Sequence, residues 1–272
     1  MQPGPFSEAR GLHRAGGPVR IATWNVNSLK VRLAQVLEFT ASASLDVLAL
    51  QETKLTDDRF PLAEIETAGY RAVFSGQKTY NGVALLARGE LQGVTTELPG
   101  APDPQRRWLA ATVAGVRIID VYVPNGESVD SPKYAYKLGW LERLREAIAA
   151  ELARYPELVV LGDFNVAPEA RDVHDPKEWE GKVLFSEPER EALRRLVGVG
   201  LHDVFRRFEQ PEKEFSWWDY RMNAFRRNRG LRIDLILASD ALAARCTACR
   251  IDKEPRRQER PSDHTPVIAD FA

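Results

Sequence analysis

Cysteine is almost missing from this chain: 272 residues hold two, Cys246 and Cys249. A disulfide framework is therefore excluded, and one C-x-x-C without a second pair falls short of a structural zinc site. The two thiols read as small hydrophobes, and their scarcity fits a reducing, cytoplasmic setting. Long apolar runs are missing too. No stretch nears the roughly 18 consecutive apolar residues of a membrane helix. The opening MQPGPFSEARGLHRAGG lacks the apolar centre of a secretory signal. It reads as a disordered tail over residues 1–17, leaving one domain over 18–272. Excess charge is also absent, with 38 Lys and Arg against 39 Asp and Glu. A protein that grips a polyanion by overall basicity is thus excluded, and such contacts must come from local clusters. There is no G-x-G-x-x-G, which removes the usual dinucleotide fingerprint.

What is present is a chain with 44% hydrophobic residues, ample for a core without staples. Short runs rich in Val and Ile predict strands at VRIATW, DVLALQ, RAVFSG, VALLAR, WLAATVA, VRIIDVYV, LVVLGDF, FSWW, RIDLILAS and TPVIADF. WLAATVA and VRIIDVYV form a hairpin turning at Ala114-Gly115. Helices are predicted at 29–42, 61–68, 132–153 and 187–198, the last with Ser186 as N-cap and Pro188 in its first turn. Many strands with few long helices give an α+β fold. VVLG and LILA are apolar throughout rather than alternating, which requires cover on both faces. Two sheets packed face to face, each with helices outside, meet that requirement.

The informative pattern is where polar residues interrupt these runs. Asn25 follows VRIATW, Glu52 follows DVLALQ, and Asp163 and Asn165 follow LVVLG. Asp234 interrupts RIDLIL, and Asp263-His264 precede TPVIADF. Each has an ordinary explanation: a turn or cap after a strand, a salt bridge from Asp234 to Arg232, an N-cap turn at Ser262-Asp263-His264. Six such sites at the mouths of buried strands resist that explanation together, because an ionised carboxylate there needs a partner or a metal. Phosphodiester hydrolysis uses this set. Mg²⁺ takes carboxylate oxygens, waters and a phosphate oxygen, which suits Glu52 with Asp263 and either Asp234 or Asn25 nearby. Asp163, held by Asn165, suits the activation of a water. His264, steadied by a carboxylate, and Tyr122 suit donation to the phosphoryl oxygens. His13, His174 and His202 lack comparable surroundings.

The strings WNVNS, LALQETK, GQKTYNGVALL, QRRW, VYVPNGES, VLGDFNVAP, SWWDYR, NRGLRIDLILAS and PSDHTPV resemble exonuclease III and the class II abasic-site endonucleases, from about Val19 to Phe271. The Asn, QE, GDFN and SDH elements are shared across the wider endonuclease/exonuclease/phosphatase superfamily. GQKTYNG, QRRW, SWWDYR and NRGLRID are narrower and point to its DNA-repair branch. The resemblance implies a DNase I-like four-layer α/β sandwich with pseudo-twofold related sheets. It implies a Mg²⁺-dependent enzyme of base excision repair, with Mn²⁺ as a substitute, that incises 5′ to abasic sites and removes 3′ blocks or nucleotides from duplex DNA. Position by position, it makes Glu52 the principal metal ligand, with Asn25 and Asp263 close to the ion and Asp163 and Asn165 counted in the metal set. Asp163 activates the water, Asn165 holds the phosphate and Tyr122 contacts it, and Asp234 orients His264. Whether Asp163 or His264 is the base stays open, as does one ion against two. Asn125 stands where some bacterial relatives carry Gln, and Trp24 where others carry Phe.

For the substrate, the resemblance places Trp217, Leu231 and Ile233 at an apolar slot for a flipped-out sugar. Lys78, Tyr80, Arg106, Arg107, Arg226, Arg227 and Arg229, in loops beside these strings, are candidates for backbone grip, with Asn125 on the phosphate. Arg206-Arg207 and Arg256-Arg257 read as plain surface, and Trp218 reads as core as readily as site. A monomer is expected, since one chain suffices for a nucleotide-sized groove. The rival readings are a superfamily phosphoesterase acting on phosphoinositide, lipid or RNA, and a catalytically silent DNA-binding homologue.

Overall fold

The computed structural model describes residues 17–100 and 103–272. In chain order its strands are β1 (Val19–Asn25), β2 (Val47–Gln51), β3 (Arg71–Ser75), β4 (Val83–Ala87), β5 (Gln92–Thr95), β6 (Trp108–Val113), β7 (Val116–Tyr122), β8 (Leu158–Asp163), β9 (Leu201–Asp203), β10 (Asp234–Ser239), β11 (Cys246–Ile251) and β12 (Val267–Phe271). The helices are α1 (Leu29–Ser42), α2 (Leu62–Thr67), α3 (Pro132–Leu152), α4 (Pro176–Trp179), α5 (Glu187–Val197) and α6 (Asp240–Ala244). Of the expected tail, residues 1–16 lie outside the described residues, and the Gly17 carbonyl accepts a bond from Arg245 Nη2 at 2.8 Å.

Two six-stranded sheets form, in the orders β11-β12-β1-β2-β4-β3 and β5-β6-β7-β8-β10-β9. Each has one parallel pair at its centre, β1 with β2 and β7 with β8, flanked by antiparallel neighbours. The two orders are therefore the same pattern used twice. Ile21, Val47, Ala49 and Leu85 of the first sheet pack against Ile118, Val159, Leu161 and Ile236 of the second. Outside the first sheet, Val36 and Phe39 of α1 and Ile65 of α2 cover Ala22, Leu48 and Leu86. Outside the second, Trp140, Leu141 and Leu144 of α3 and Leu193 and Leu196 of α5 cover Ile119, Val160 and Leu237. All five residues of β2 and all six of β8 are buried, as strands covered on both faces must be.

Local signals placed several elements. Ala114 (φ 51°) and Gly115 (φ 88°) make the two-residue turn between β6 and β7, both in the left-handed region that such a hairpin requires. Helix α5 opens with a capping box in which Ser186 and Glu189 bond each other's backbone N–H. FSWW, expected as a strand, is instead a crossing segment with isolated bridges from Trp217 to Leu231 and to His264. The edge strands β5, β9 and β11 were not expected. Every residue of β5 is exposed, so it carries no alternating pattern to read. In β11, Cys249 is buried in the core between the sheets and Cys246 packs at its margin, as small hydrophobes.

A polar link crosses the sheet interface below the strand ends. Gln51 Nε2 donates to Asp120 Oδ1 at 2.7 Å and to Thr23 Oγ1 at 2.9 Å, all fully buried. Burial pushes the Asp120 carboxyl well above its ordinary range, against the opposing bond from Gln51. A carboxyl raised in the folded state favours folding fully below its unfolded value of 3.8 and loses that contribution as pH rises. Asp120→Asn is therefore expected to raise Tm by an amount that grows between pH 4 and pH 9. A calorimetric series with a flat difference would refute the neutral buried carboxyl.

Candidate active site

The central parallel strands of both sheets end on the same side of the sandwich, and their last residues meet there. Asn25 ends β1 and Glu52 follows β2, while Tyr122 ends β7 and Asp163 ends β8. Asp234 opens β10 directly opposite Asp163 in the antiparallel register. His264 reaches the same point from the segment before β12, with Trp24 Nε1 donating to its carbonyl at 3.2 Å. Gly162 lets β8 come this close. At φ 142° it has Val121 O only 1.9 Å from where a Cβ would sit, so a side chain would part β7 from β8 just before Asp163.

The side chains are tied into one network. Asn25 Nδ2 donates to Glu52 Oε1 at 2.8 Å and to Asp163 Oδ2 at 2.9 Å, so one amide draws carboxylates of the two sheets together. Asp163 Oδ1 accepts the backbone N–H of Asn165 at 2.9 Å, and its Oδ2 accepts Asn165 Nδ2 at 3.2 Å. Asn165 Oδ1 in turn accepts Asn125 Nδ2 at 3.2 Å. His264 Nδ1 lies 2.9 Å from Asp234 Oδ2, and its Nε2 lies 3.7 Å from Asp163 Oδ2. Arg107 stacks over the Tyr122 ring, with its Cζ 4.5 Å from the centroid.

These neighbours set the charges. Burial opposes the imidazolium of His264, but Asp234 and Asp163 outweigh it and raise its pKa to about 10. Burial pushes the Asp163 carboxyl upward, helped by Asp234 and Glu52 and opposed by His264 and the Asn25 bond. Burial, then Glu52 and Asp163, hold the Tyr122 hydroxyl neutral and well above its ordinary range. These shifts favour the protonated forms of His264 and of the Tyr122 hydroxyl.

Among the described residues, Glu52, Asp163 and His264 place one ligand atom each within 4.8 Å of one another. Two of these three atoms are carboxylate oxygens, the kind of donor that a hard divalent cation prefers. Asn25 aims its NH₂ at both carboxylates, and its Oδ1 accepts Asn27 N at 3.0 Å. It therefore clamps these groups in this arrangement, with one of the two lone pairs of its Oδ1 already used. Asp263 accepts Asn27 Nδ2 at 2.9 Å and Trp217 Nε1 at 3.0 Å, facing the Trp217 side and standing apart from the three-residue cluster.

Other expected residues fall into three groups. Arg107, Tyr80 and Asn125 line a cavity of about 720 Å³, and Lys78 and Arg106 neighbour lining residues in the chain, with Arg106 facing Glu97 at 3.7 Å. Trp217 is half-buried, whereas Leu231 and Ile233 are wholly buried beneath it with Val173 and Phe185. Arg226 and Arg227 are exposed, while Arg229 is half-buried and ion-paired to Glu178 at 2.7 Å. Trp218 is core, fully buried against Phe225. Two surface expectations are corrected. Arg256 is buried and stacks on Tyr220 and Phe225, and Arg206 pairs with buried Asp172. Arg232 pairs with Asp172 and Asp203 instead of Asp234, which frees Asp234 for His264.

Several residues of the site were not singled out from the sequence. Lys54 Nζ bonds Glu52 Oε2 at 2.8 Å and Asn27 Oδ1 at 2.6 Å. Ser216 Oγ accepts the backbone N–H of both Ile233 and Asp234 at 3.1 Å, fixing where Asp234 enters. Ser262 Oγ donates to the Asn25 carbonyl at 2.7 Å and accepts His264 N at 3.2 Å. Lys54, Asn27 and Ser262 lie within the quoted strings QETK, WNVNS and SDH, so the signal was in view.

Comparison with known proteins agrees with this geometry. The model of the Endonuclease/Exonuclease/phosphatase family matches residues 22–264. The chain belongs to this family. Exodeoxyribonuclease III of Haemophilus influenzae is 34% identical over 266 residues, 93% of this chain and all of that protein. A solved variant of the 3′ phosphatase NExo from Neisseria, bound to product DNA hairpin, is 49% identical with a TM-score of 0.92, covering 93% of this chain and 99% of that one. An AP endonuclease from Archaeoglobus fulgidus is 41% identical with a TM-score of 0.89, at the same coverage. Within the family the chain falls in the exonuclease III and AP endonuclease branch. The four-layer, DNase I-like sandwich is as the resemblance implied. No helix among the described residues is long and apolar enough to cross a membrane.

Proposed function

We propose that this nuclease hydrolyses phosphodiester bonds of damaged duplex DNA, cutting 5′ to abasic sites and clearing blocked 3′ ends with Mg²⁺ bound at Glu52. The observation that carries the reading is a buried carboxylate paired with a held imidazole: Asp163 Oδ2 and His264 Nε2 lie 3.7 Å apart, the carboxylate bonded by Asn25 and Asn165 and the ring by Asp234. Bound Mg²⁺ (or Mn²⁺) would draw charge from a phosphate oxygen as a Lewis acid. Asp163, with its pKa raised, takes the proton of the attacking water, and Asn165 fixes its carboxylate in place. With Asp234 bonded to its Nδ1, His264 donates from Nε2 toward the phosphoryl oxygen while Asp234 holds its ring. Tyr122 and Asn125 supply neutral donors to the same group.

Homologues that process 3′ phosphates and abasic sites favour DNA over a lipid or phosphoinositide substrate. Trp217, half-buried and backed by the wholly buried Leu231 and Ile233, is the wall against which a base-free sugar would rest. A duplex with one abasic site should be incised with Mg²⁺ and left intact with EDTA. Incision that ignores EDTA, or none with any divalent ion, would overturn the reading. The exposed Arg226 and Arg227 should grip backbone phosphates. Replacing both with Ala is expected to lower affinity for the abasic duplex and reduce the slope of log K against log salt by about 1 to 2. An unchanged slope in a salt titration would remove them from the interface.

A further inference from the structure

Beneath the site lies a buried ion pair with no place in the chemistry above. Lys137 of α3 and Glu189 of α5 are both wholly shielded from water and paired to each other. The Lys137 ammonium spends its other two donors on backbone carbonyls, Asn125 O at 3.0 Å and Asn165 O at 2.6 Å. Those two residues carry the amides that hydrogen-bond each other above Asp163. Glu189 is equally saturated, accepting the N–H of Leu184 and Ser186 at 3.0 Å and the Ser186 hydroxyl. Gly126, at φ +95°, leaves room for the lysine stem, since a Cβ there would lie 3.1 Å from Lys137 Cδ.

We propose that Lys137, anchored by Glu189, is a positioning residue that holds Asn125 and Asn165 in register against Asp163. Stability does not account for the pair, because a buried ion pair is commonly matched or bettered by apolar residues of similar volume. Geometry does account for it. A single ammonium has three fixed donor directions, and two of them clamp the loops that follow β7 and β8. No apolar side chain can set the distance between two carbonyls in this way. The inference rests on the proposed role of the two amides at the phosphate, and it names what keeps them there.

The structure supplies a matched control. Arg117 and Glu151 form another buried pair, at 2.6 Å, with Arg117 near the start of β7, at the end remote from Tyr122. The test compares Lys137→Met/Glu189→Gln with Arg117→Met/Glu151→Gln on an abasic duplex. Both should lower Tm, but only the first should lower kcat, by about a hundredfold with KM nearly unchanged, as expected when reacting groups are displaced by a fraction of an ångström. Equal kcat values in the two folded variants would overturn the proposal. Should the first variant fail to unfold cooperatively, Glu189→Asp draws the ammonium back by one methylene. It should cut kcat severalfold, and full turnover in that variant would be equally fatal. If the wild-type chain does not incise at all, the functional reading falls by itself. The side-chain amide NMR signals of Asn125 and Asn165 then decide the positioning claim. They should shift in the Lys137 variant and not in the Arg117 one, and unchanged signals would refute it.

Discussion

Asp163→Asn is expected to reduce incision of an abasic duplex by about a thousandfold or more while leaving the fold intact. The amide is nearly isosteric and can still accept the backbone N–H of Asn165 through its oxygen. It cannot take a proton from water, and general-base catalysis alone is worth about a hundredfold to ten-thousandfold. The substitution also removes one of the three carboxylates that raise the His264 pKa, so the imidazolium is held less firmly. Burst and steady-state kinetics at saturating DNA would measure the loss. Residual turnover within tenfold of wild type would transfer the role of base elsewhere.

Asp234→Asn should be nearly as damaging by a different route. Asp234 is fully buried, and its carboxylate lies 2.9 Å from His264 Nδ1. Losing the largest contribution that sustains the imidazolium should drop the His264 pKa from about 10 toward its ordinary 6.5 and lower kcat by about a hundredfold or more. NMR titration of the ring in metal-free protein reads the shift directly. The sign of the stability effect follows. A histidine raised in the folded state contributes fully below pH 6.5, and that contribution is lost as pH climbs through about 10. The wild-type advantage in Tm over Asp234→Asn should therefore be largest in mild acid and vanish in strong alkali. An advantage that grows with pH would contradict the pairing.

The site was more legible in the sequence than the edges of the sheets. LVVLGDFN could be read because a strand covered on both faces leaves an unbroken apolar run, and the first polar residue after it marks the strand mouth. The same logic found Glu52 and Asn25. It failed at β5, whose four residues are all exposed, and at β9, which has only three residues. FSWW looked like a strand because its aromatics favour one, yet Ser216 bonds the β10 entrance instead of a ladder. Arg256 and Arg206 were misplaced because a charged residue's burial depends on partners far along the chain, among them Asp172, that no local pattern announces. Lys137 escaped for the same reason, since its partner lies 52 residues away.

The way β12 closes against β1 has a consequence for the making of the protein. Val267–Phe271 pairs with Val19–Thr23, so the last strand of the chain completes the first sheet beside the first. Glu52 and Asp163 emerge from the ribosome long before His264 does. Assembly of the site is thus tied to closure of the first sheet, since His264 reaches Asp234 from the segment that leads into β12.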